Sequence, residues 1–273
     1  MRLPLAPTPN APLPALHARW VEEALGALPP EESLSTCDTC VQLPKPGEEP
    51  GPGQFDPRTK CCTYLPVLHN YQVGALLEDP AVDPAGLATV EARIDRGVGV
   101  TTLGLIGDPE FFRLYQQADF GKDPALLCPH YLEAGGGRCG VWEHRNATCS
   151  AWFCRFDRGS ASWDFWRLGM MTLLRAIEDV MSRWAVQQLG AAEGDFGRWG
   201  GDVRAFYRES ARLAGRCSWA LLEALGGAPL REVAEDARRL HRALLAAPLV
   251  TESVTETVTG MVTEVTASEG APR

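Results

Sequence analysis

The 273 residues contain no unbroken apolar run of eighteen or more, so no stretch reads as a membrane span. Basic excess is absent too. Lys and Arg together number 26 against 35 Asp and Glu, for a formal charge of −9, which argues against nucleic acid as a partner, because a basic surface supplies most of that affinity. The N-terminus, Met1 to Asn10, has one Arg but no continuous apolar core, since prolines interrupt it. It does not read as a secretory leader, and the expected location is cytoplasmic. The common catalytic signatures are missing: no Gly-x-Ser-x-Gly, no His-Glu-x-x-His, no phosphate-binding loop with its Lys, no Gly-x-Gly-x-x-Gly opening a helix, and no Cys-x-x-x-Cys-x-x-Cys. Beyond residue 154 only one cysteine remains, Cys217.

That last scarcity throws the other eight cysteines into relief. Cys37, Cys40, Cys61, Cys62, Cys128, Cys139, Cys149 and Cys154 all lie in the first 154 residues. In a reducing compartment such a pattern reads as metal-binding or catalytic rather than as a disulfide framework. The sequon at Asn146 to Thr148 then has no role in glycosylation. Cys37 and Cys40 have the Cys-x-x-Cys spacing that lets two sulfurs reach one metal. Thiolate is soft and charged, which suits zinc and iron. The adjacent Cys61 and Cys62 diverge too much to sit easily on one tetrahedral zinc, so the reading tilts towards an iron–sulfur cluster or a site with more than one metal.

The run Cys139-Gly-Val-Trp-Glu-His-Arg145-Asn-Ala-Thr-Cys149 resembles the Cys-x-[Ile/Val]-[Tyr/Trp]-x-x-Arg-x-x-x-Cys signature of the zinc- or iron-chelating cysteine-cluster family, also called YkgJ-type. The upstream Cys-x-x-Cys, the Cys-Cys doublet and Cys128 ahead of the signature are similar as well. The likeness covers roughly residues 37–154. Twenty residues separate Cys40 from Cys61, where the family places its first pair close to the doublet. The resemblance implies metal binding and a cytoplasmic location, and a minority of similar proteins are linked to protein-lysine methylation through an iron–sulfur cluster.

Around the cysteines, His69, His130 and His144 are each either ligands, or groups that support a ligand from behind, or surface groups, and the last two readings are favoured. His144 and Arg145, both inside the signature, are the candidate cofactor-binding residues. Arg145 either anchors an anion, or neutralises cluster charge through a ligand sulfur, or makes a surface salt bridge. The aromatic set Trp142, Trp152, Phe153, Trp163, Phe165 and Trp166 reads as shielding that packs the cysteine segment onto a helix.

The expected fold is mainly α, with an irregular, cysteine-rich, metal-stapled N-terminal half packed on a C-terminal helical bundle. A disordered Pro-rich stretch covers 1–14, the metal-binding region 15–162, the helical region 163–248 and a low-complexity tail 249–273. Apolar spacing predicts helices over 16–28, from 70 to 77, and over 84–96 ending at Gly97. Residues 98–106 read as strand or irregular. Asp108-Pro109-Glu110 has helix-start chemistry, with Phe111, Phe112, Leu114 and Tyr115 as the buried side. A long buried helix is predicted over 163–189, then two more over 202–225 and 229–245, divided by Gly226-Gly227. Cys217 reads as a core residue.

The function this implies is an intracellular metal-binding protein holding an iron–sulfur cluster or zinc, with a protein partner or substrate that the sequence does not name. The alternatives are an iron–sulfur enzyme or electron-transfer component, protein modification included, and a thiol-redox switch.

Overall fold

The structure, a computed structural model, describes residues 13–32, 40, 42–45, 47–49, 51, 53–107, 109–134 and 137–250. Cys37, most of the Pro-rich N-terminal stretch and the tail from residue 251 fall outside them. The chain is mainly helical, with strands only two residues long.

The first helix, α1 (Ala15–Leu25), ends at Gly26, whose φ of 81° is the left-handed conformation a side chain resists. It ends three residues before the predicted limit, because Gly26 closes it ahead of the two prolines. Strand β1 (Leu68–His69) runs straight into α2 (Asn70–Glu78). Helix α3 (Pro84–Asp95) starts with Asp83 capping the Ala85 amide and Pro84 in the first turn. Strands β2 (Val100–Thr101) and β3 (Gly104–Leu105) complete a three-stranded antiparallel sheet in the order β1-β3-β2.

Helix α4 (Pro109–Tyr115) departs from expectation, for none of its residues is buried. At seven residues it is too short to present a wide stripe to the core. Its rings meet one another instead, Phe111 stacking on Tyr115 with centroids 6.2 Å apart. A second, two-stranded sheet pairs β4 (Tyr131–Leu132) with β5 (Arg138–Cys139), and α5 (Ala147–Ser150) follows.

The long helix predicted over 163–189 is three pieces in series. These are α6 (Ser160–Trp163), a π-helical stretch over Asp164–Met170, and α7 (Met171–Gln188). The wider π turn places Phe165, Trp166 and Met170 all inward. Helix α8 (Val203–Arg216) stops earlier than predicted, at Cys217, and Ser218 then caps α9 (Trp219–Ala246) through the Leu221 amide. The Gly226-Gly227 division is a kink inside α9, where Gly227 takes φ 61° and ψ −145° and Pro229 resumes the helix.

Three apolar cores join these elements. Trp20, Leu173, Ile177, Met181, Trp219 and Leu222 form one, between α1, α7 and α9. Cys217 is buried among them, as its sequence context predicts. Arg19 and the Trp20 indole both donate to the Cys217 carbonyl, at 2.7 Å each, satisfying the acceptors left open where α8 ends. A second core sets Ala147, Ala151 and Phe156 of the cysteine segment against Phe165, Trp166, Met170 and Leu174. Leu13 is buried in it, at the end of the stretch expected to be disordered. The third gathers Leu68, Val73, Leu105, Val141, Phe206 and Tyr207 where the sheet, α2 and α8 meet.

Helices α2 and α8 pack closely. A methyl group on Gly74 would run into the Tyr207 carbonyl, whereas one on Gly215, in the last turn of α8, would meet nothing within 4 Å. Gly74→Ala is therefore expected to cost about 1–3 kcal/mol by overpacking. Gly215→Ala should be neutral or stabilise by up to about 1 kcal/mol. Urea unfolding of the two variants checks the pair.

Candidate functional site

The cysteines lie on loops and turns that borrow their order from neighbouring backbone. Residues 53–63 are tied to the Gly121 turn: the Asp56 amide donates to the Gly121 carbonyl at 2.8 Å and the Gly121 amide to Thr63 Oγ1 at 2.6 Å. Phe55, 1% exposed, plugs the loop. Lys60, directly before the doublet, takes φ 52°, and among the described residues it is the only one other than glycine with positive φ. That backbone turn costs energy for a residue with a Cβ. Its ammonium reaches across to the Gly137 carbonyl at 3.1 Å.

From the doublet the chain is bonded directly to the next cysteine, for the Cys128 amide donates to the Cys62 carbonyl at 2.7 Å. Tyr131 then donates back to the Cys128 carbonyl, and the β4–β5 hairpin sets Tyr131 opposite Cys139. Gly140 approaches Gly86 of α3 so closely that neither position has room for a side chain. After a single 3-10 turn over Trp142–His144, Asn146 caps α5 by accepting the Cys149 amide at 3.0 Å. The asparagine of the sequon is thus buried and structural.

The influence of the described cysteine thiols on one another shows which are neighbours. Burial pushes the Cys149 thiol well up, and Cys139, Cys128 and Cys61 add repulsion against a second thiolate, with Arg145 opposing. Burial likewise takes Cys128 up to about 12, aided by Cys139 and Cys61. The Cys61 thiol is raised first by its hydrogen bond to Cys62, then by burial and by the charges of Cys62 and Cys40. Cys61 and Cys149 keep some accessible surface, yet their sulfurs are densely surrounded. Cys40 is the exception, held down to about 6 by a hydrogen bond with Cys154, with Lys60 assisting. Cys61, Cys128, Cys139 and Cys149 thus form one neighbourhood, and Cys40 with Cys154 a second that adjoins it through Cys61. Among the described residues, no group of three or more His, Cys, Asp and Glu side chains is drawn together as a metal site.

The candidate histidines each have other partners. His130 is fully buried. Thr89 Oγ1 donates to the Gly86 carbonyl, so it accepts from His130 Nδ1 at 2.7 Å, while Arg93 approaches Nε2 at 3.3 Å. Both ring nitrogens are therefore used within the fold. His144 Nε2 lies 2.9 Å from Asp79 Oδ2, and that hydrogen bond holds the Asp79 carboxyl below its usual range. His69 Nδ1 lies 2.8 Å from Ser182 Oγ.

Arg145 is 3% exposed, its guanidinium 3.8 Å over the Trp142 ring and bonded to the Trp142 carbonyl at 2.7 Å. It is a buried group. Trp142 itself is 38% exposed, so it covers Arg145 and does not seal the core. Phe165 and Trp166 are fully buried, with Phe153 edge-on to Trp166 at 4.8 Å.

Behind this segment stands a residue that the sequence reading passes over. Glu178 of α7 is 2% exposed, and His17 and His69 face it at 3.4 and 3.5 Å. Burial works to raise its pKa, but the charges and hydrogen bonds of its neighbours, His69 foremost, outweigh that and leave it lowered. Burial takes His17 the other way, down to about 4, so at neutral pH His17 is uncharged. The available signal was the helical spacing, which puts Glu178 on the same face as Leu174, Ile177 and Met181.

Comparison with family models, with curated proteins and with solved structures finds no match to this chain. Among the described residues no helix is long and apolar enough to cross a membrane.

The buried histidines give the site a pH signature. His17 falls from 6.5 to about 4 and His130 from 6.5 to about 3, each through burial first. A depressed folded-state pKa means that the unfolded chain binds the proton more readily. Stability is then fully present above about pH 6.5 and is lost as pH falls towards 4. Urea unfolding between pH 4 and 7 is expected to show that slope, and His130→Asn should flatten it.

Proposed function

We propose that this chain is a metal-binding protein whose clustered cysteines hold an iron–sulfur cluster or zinc. The observation that carries the proposal is that Cys61, Cys128, Cys139 and Cys149, far apart in sequence, come close enough for Cys61 and Cys139 to raise the cost of ionising Cys128, and for all three to raise that of Cys149. Thiols so placed stay protonated without a cation, and a soft metal ion or cluster is the group that would stabilise them as thiolates. The donor set fits. These four would hold the metal, with Cys62 beside them and Cys40 and Cys154 adjoining; Cys37, outside the described residues, completes the Cys-x-x-Cys pair. Bound there, zinc would staple the loops, and an iron–sulfur cluster would add one-electron chemistry.

The resemblance to the YkgJ-type family supports the same reading and its cytoplasmic setting. An acidic chain speaks for a protein partner or substrate rather than nucleic acid. Arg145, buried beside Cys149, would offset cluster charge, with His144 close in sequence and held by Asp79. An enzyme or electron-transfer component is the reactive form of this proposal. One observation favours a different reading, the thiol-redox switch: Cys40 is lowered to about 6 next to Cys154, which is the state of a reactive thiolate.

Anaerobic purification followed by metal and sulfide analysis tests these readings. Iron with matching sulfide and a broad visible band near about 400 nm support the cluster, and colourless protein with stoichiometric zinc supports the structural site. Cys139→Ser and Cys149→Ser should each abolish binding, while Cys217→Ser leaves it intact. Metal-free protein whose Cys40 and Cys154 oxidise reversibly overturns the metal proposal and leaves the switch.

A further inference from the structure

Glu178 lies behind the candidate site, and two of the hydrogen bonds it accepts lead to one stretch of backbone. Its Oε1 accepts the Ala147 amide at 2.8 Å and Gln72 Nε2 at 3.0 Å. Gln72 Nε2 also reaches the Arg145 carbonyl at 3.3 Å, which Ser150 Oγ approaches at the same distance. Ala147 is the first residue of α5, two positions before Cys149, and Asn146 beside it accepts the Cys149 amide. The carboxylate therefore fixes the backbone on which Cys149 is mounted.

The groups around Glu178 are arranged to keep it in one orientation. Ser182 Oγ donates to the Glu178 carbonyl at 2.7 Å, so the same oxygen accepts from His69 Nδ1. That turns His69 Nε2 towards Glu178 Oε2. On the other side His17 Nε2 lies between Glu178 Oε1 and the Tyr71 hydroxyl, at 3.4 and 3.3 Å. Removing a carboxylate from water costs several kcal/mol, and an apolar residue of similar size often serves stability as well or better. What an apolar residue does not supply is an acceptor aimed at the Ala147 amide.

We infer that Glu178 is a positioning residue for the cysteine site, setting the place of Cys149 through the Ala147 amide and through Gln72. The inference rests on the proposed metal-binding role for its meaning, but its test is read on reduced, metal-free full-length chain and stands apart from that role. The measurement is timed alkylation with iodoacetamide, mapped cysteine by cysteine by mass spectrometry, on the wild type and on Glu178→Leu, Glu178→Gln and Gln72→Leu. Cys217, buried in the first core and not bonded to Glu178, Gln72 or Ala147 by any hydrogen bond described above, is the internal control.

Glu178→Leu is expected to speed labelling of Cys149 about tenfold by local opening, with Cys217 unchanged. Gln72→Leu should give a smaller rise at the same cysteine. Glu178→Gln, whose amide oxygen still accepts the Ala147 amide, should stay near the wild type. No rise at Cys149 in either leucine variant, or equal rises at Cys149 and Cys217 in both, would overturn the inference. A wild type that binds no metal defeats the metal proposal and leaves this comparison valid.

Discussion

A carboxylate sealed inside a helical core is unstable unless every direction around it answers its charge, and Glu178 draws those answers from across the chain. His17 comes from α1, His69 and Gln72 from the junction of β1 and α2, and the Ala147 amide from the cysteine segment. These groups are far apart in sequence, and each contact closes a long loop at an entropic cost that packing must offset. The second apolar core supplies part of that packing, setting Ala147, Ala151 and Phe156 against Phe165, Trp166 and Met170. The irregular N-terminal half is thus held on the helical half by a polar anchor and an apolar face at the same place.

The loops that bear the cysteines have little regular structure, and single contacts hold them. Gly121 with Thr63, Cys128 with Cys62, and the hairpin at Cys139 are the principal ties. Such a region gains much from a central crosslink, because few of its own contacts resist local opening. Two features, one polar and one steric, show how tightly the surrounding shell is specified. His130 has both ring nitrogens answered, by Thr89 and Arg93, and the Gly86–Gly140 approach leaves no room for a side chain. Cys128 and Cys139 are consequently mounted on a frame that is ordered up to their backbone.

Much of this was legible in the sequence. The starts of α2 at Asn70 and α3 at Pro84 and the buried character of Phe165, Trp166 and Ile177 all follow from spacing and local propensity. The errors have local physical reasons. Apolar periodicity does not distinguish an α-helix from the π turn at 164–170, because both bury the same residues. Phe111 and Phe112 were expected in the core since they are apolar, but a helix of seven residues with no long partner leaves them half open. The break at Cys217 was hidden because Cys217 and Trp219 continue an apolar stripe across it. As for the site, the cysteine count pointed to the chemistry, while Glu178 and His17 stayed invisible: pairing across 161 residues, 178 less 17, leaves no mark on local pattern.

The account turns on whether sulfur from these cysteines, and not nitrogen or oxygen from the histidines and carboxylates, surrounds a bound metal. X-ray absorption at the metal edge of anaerobically purified protein measures that directly. The account predicts a shell of sulfur at about 2.3 Å, with metal–metal scattering in addition if the metal is a cluster. A shell of nitrogen and oxygen at about 2.0–2.2 Å with no sulfur would contradict it.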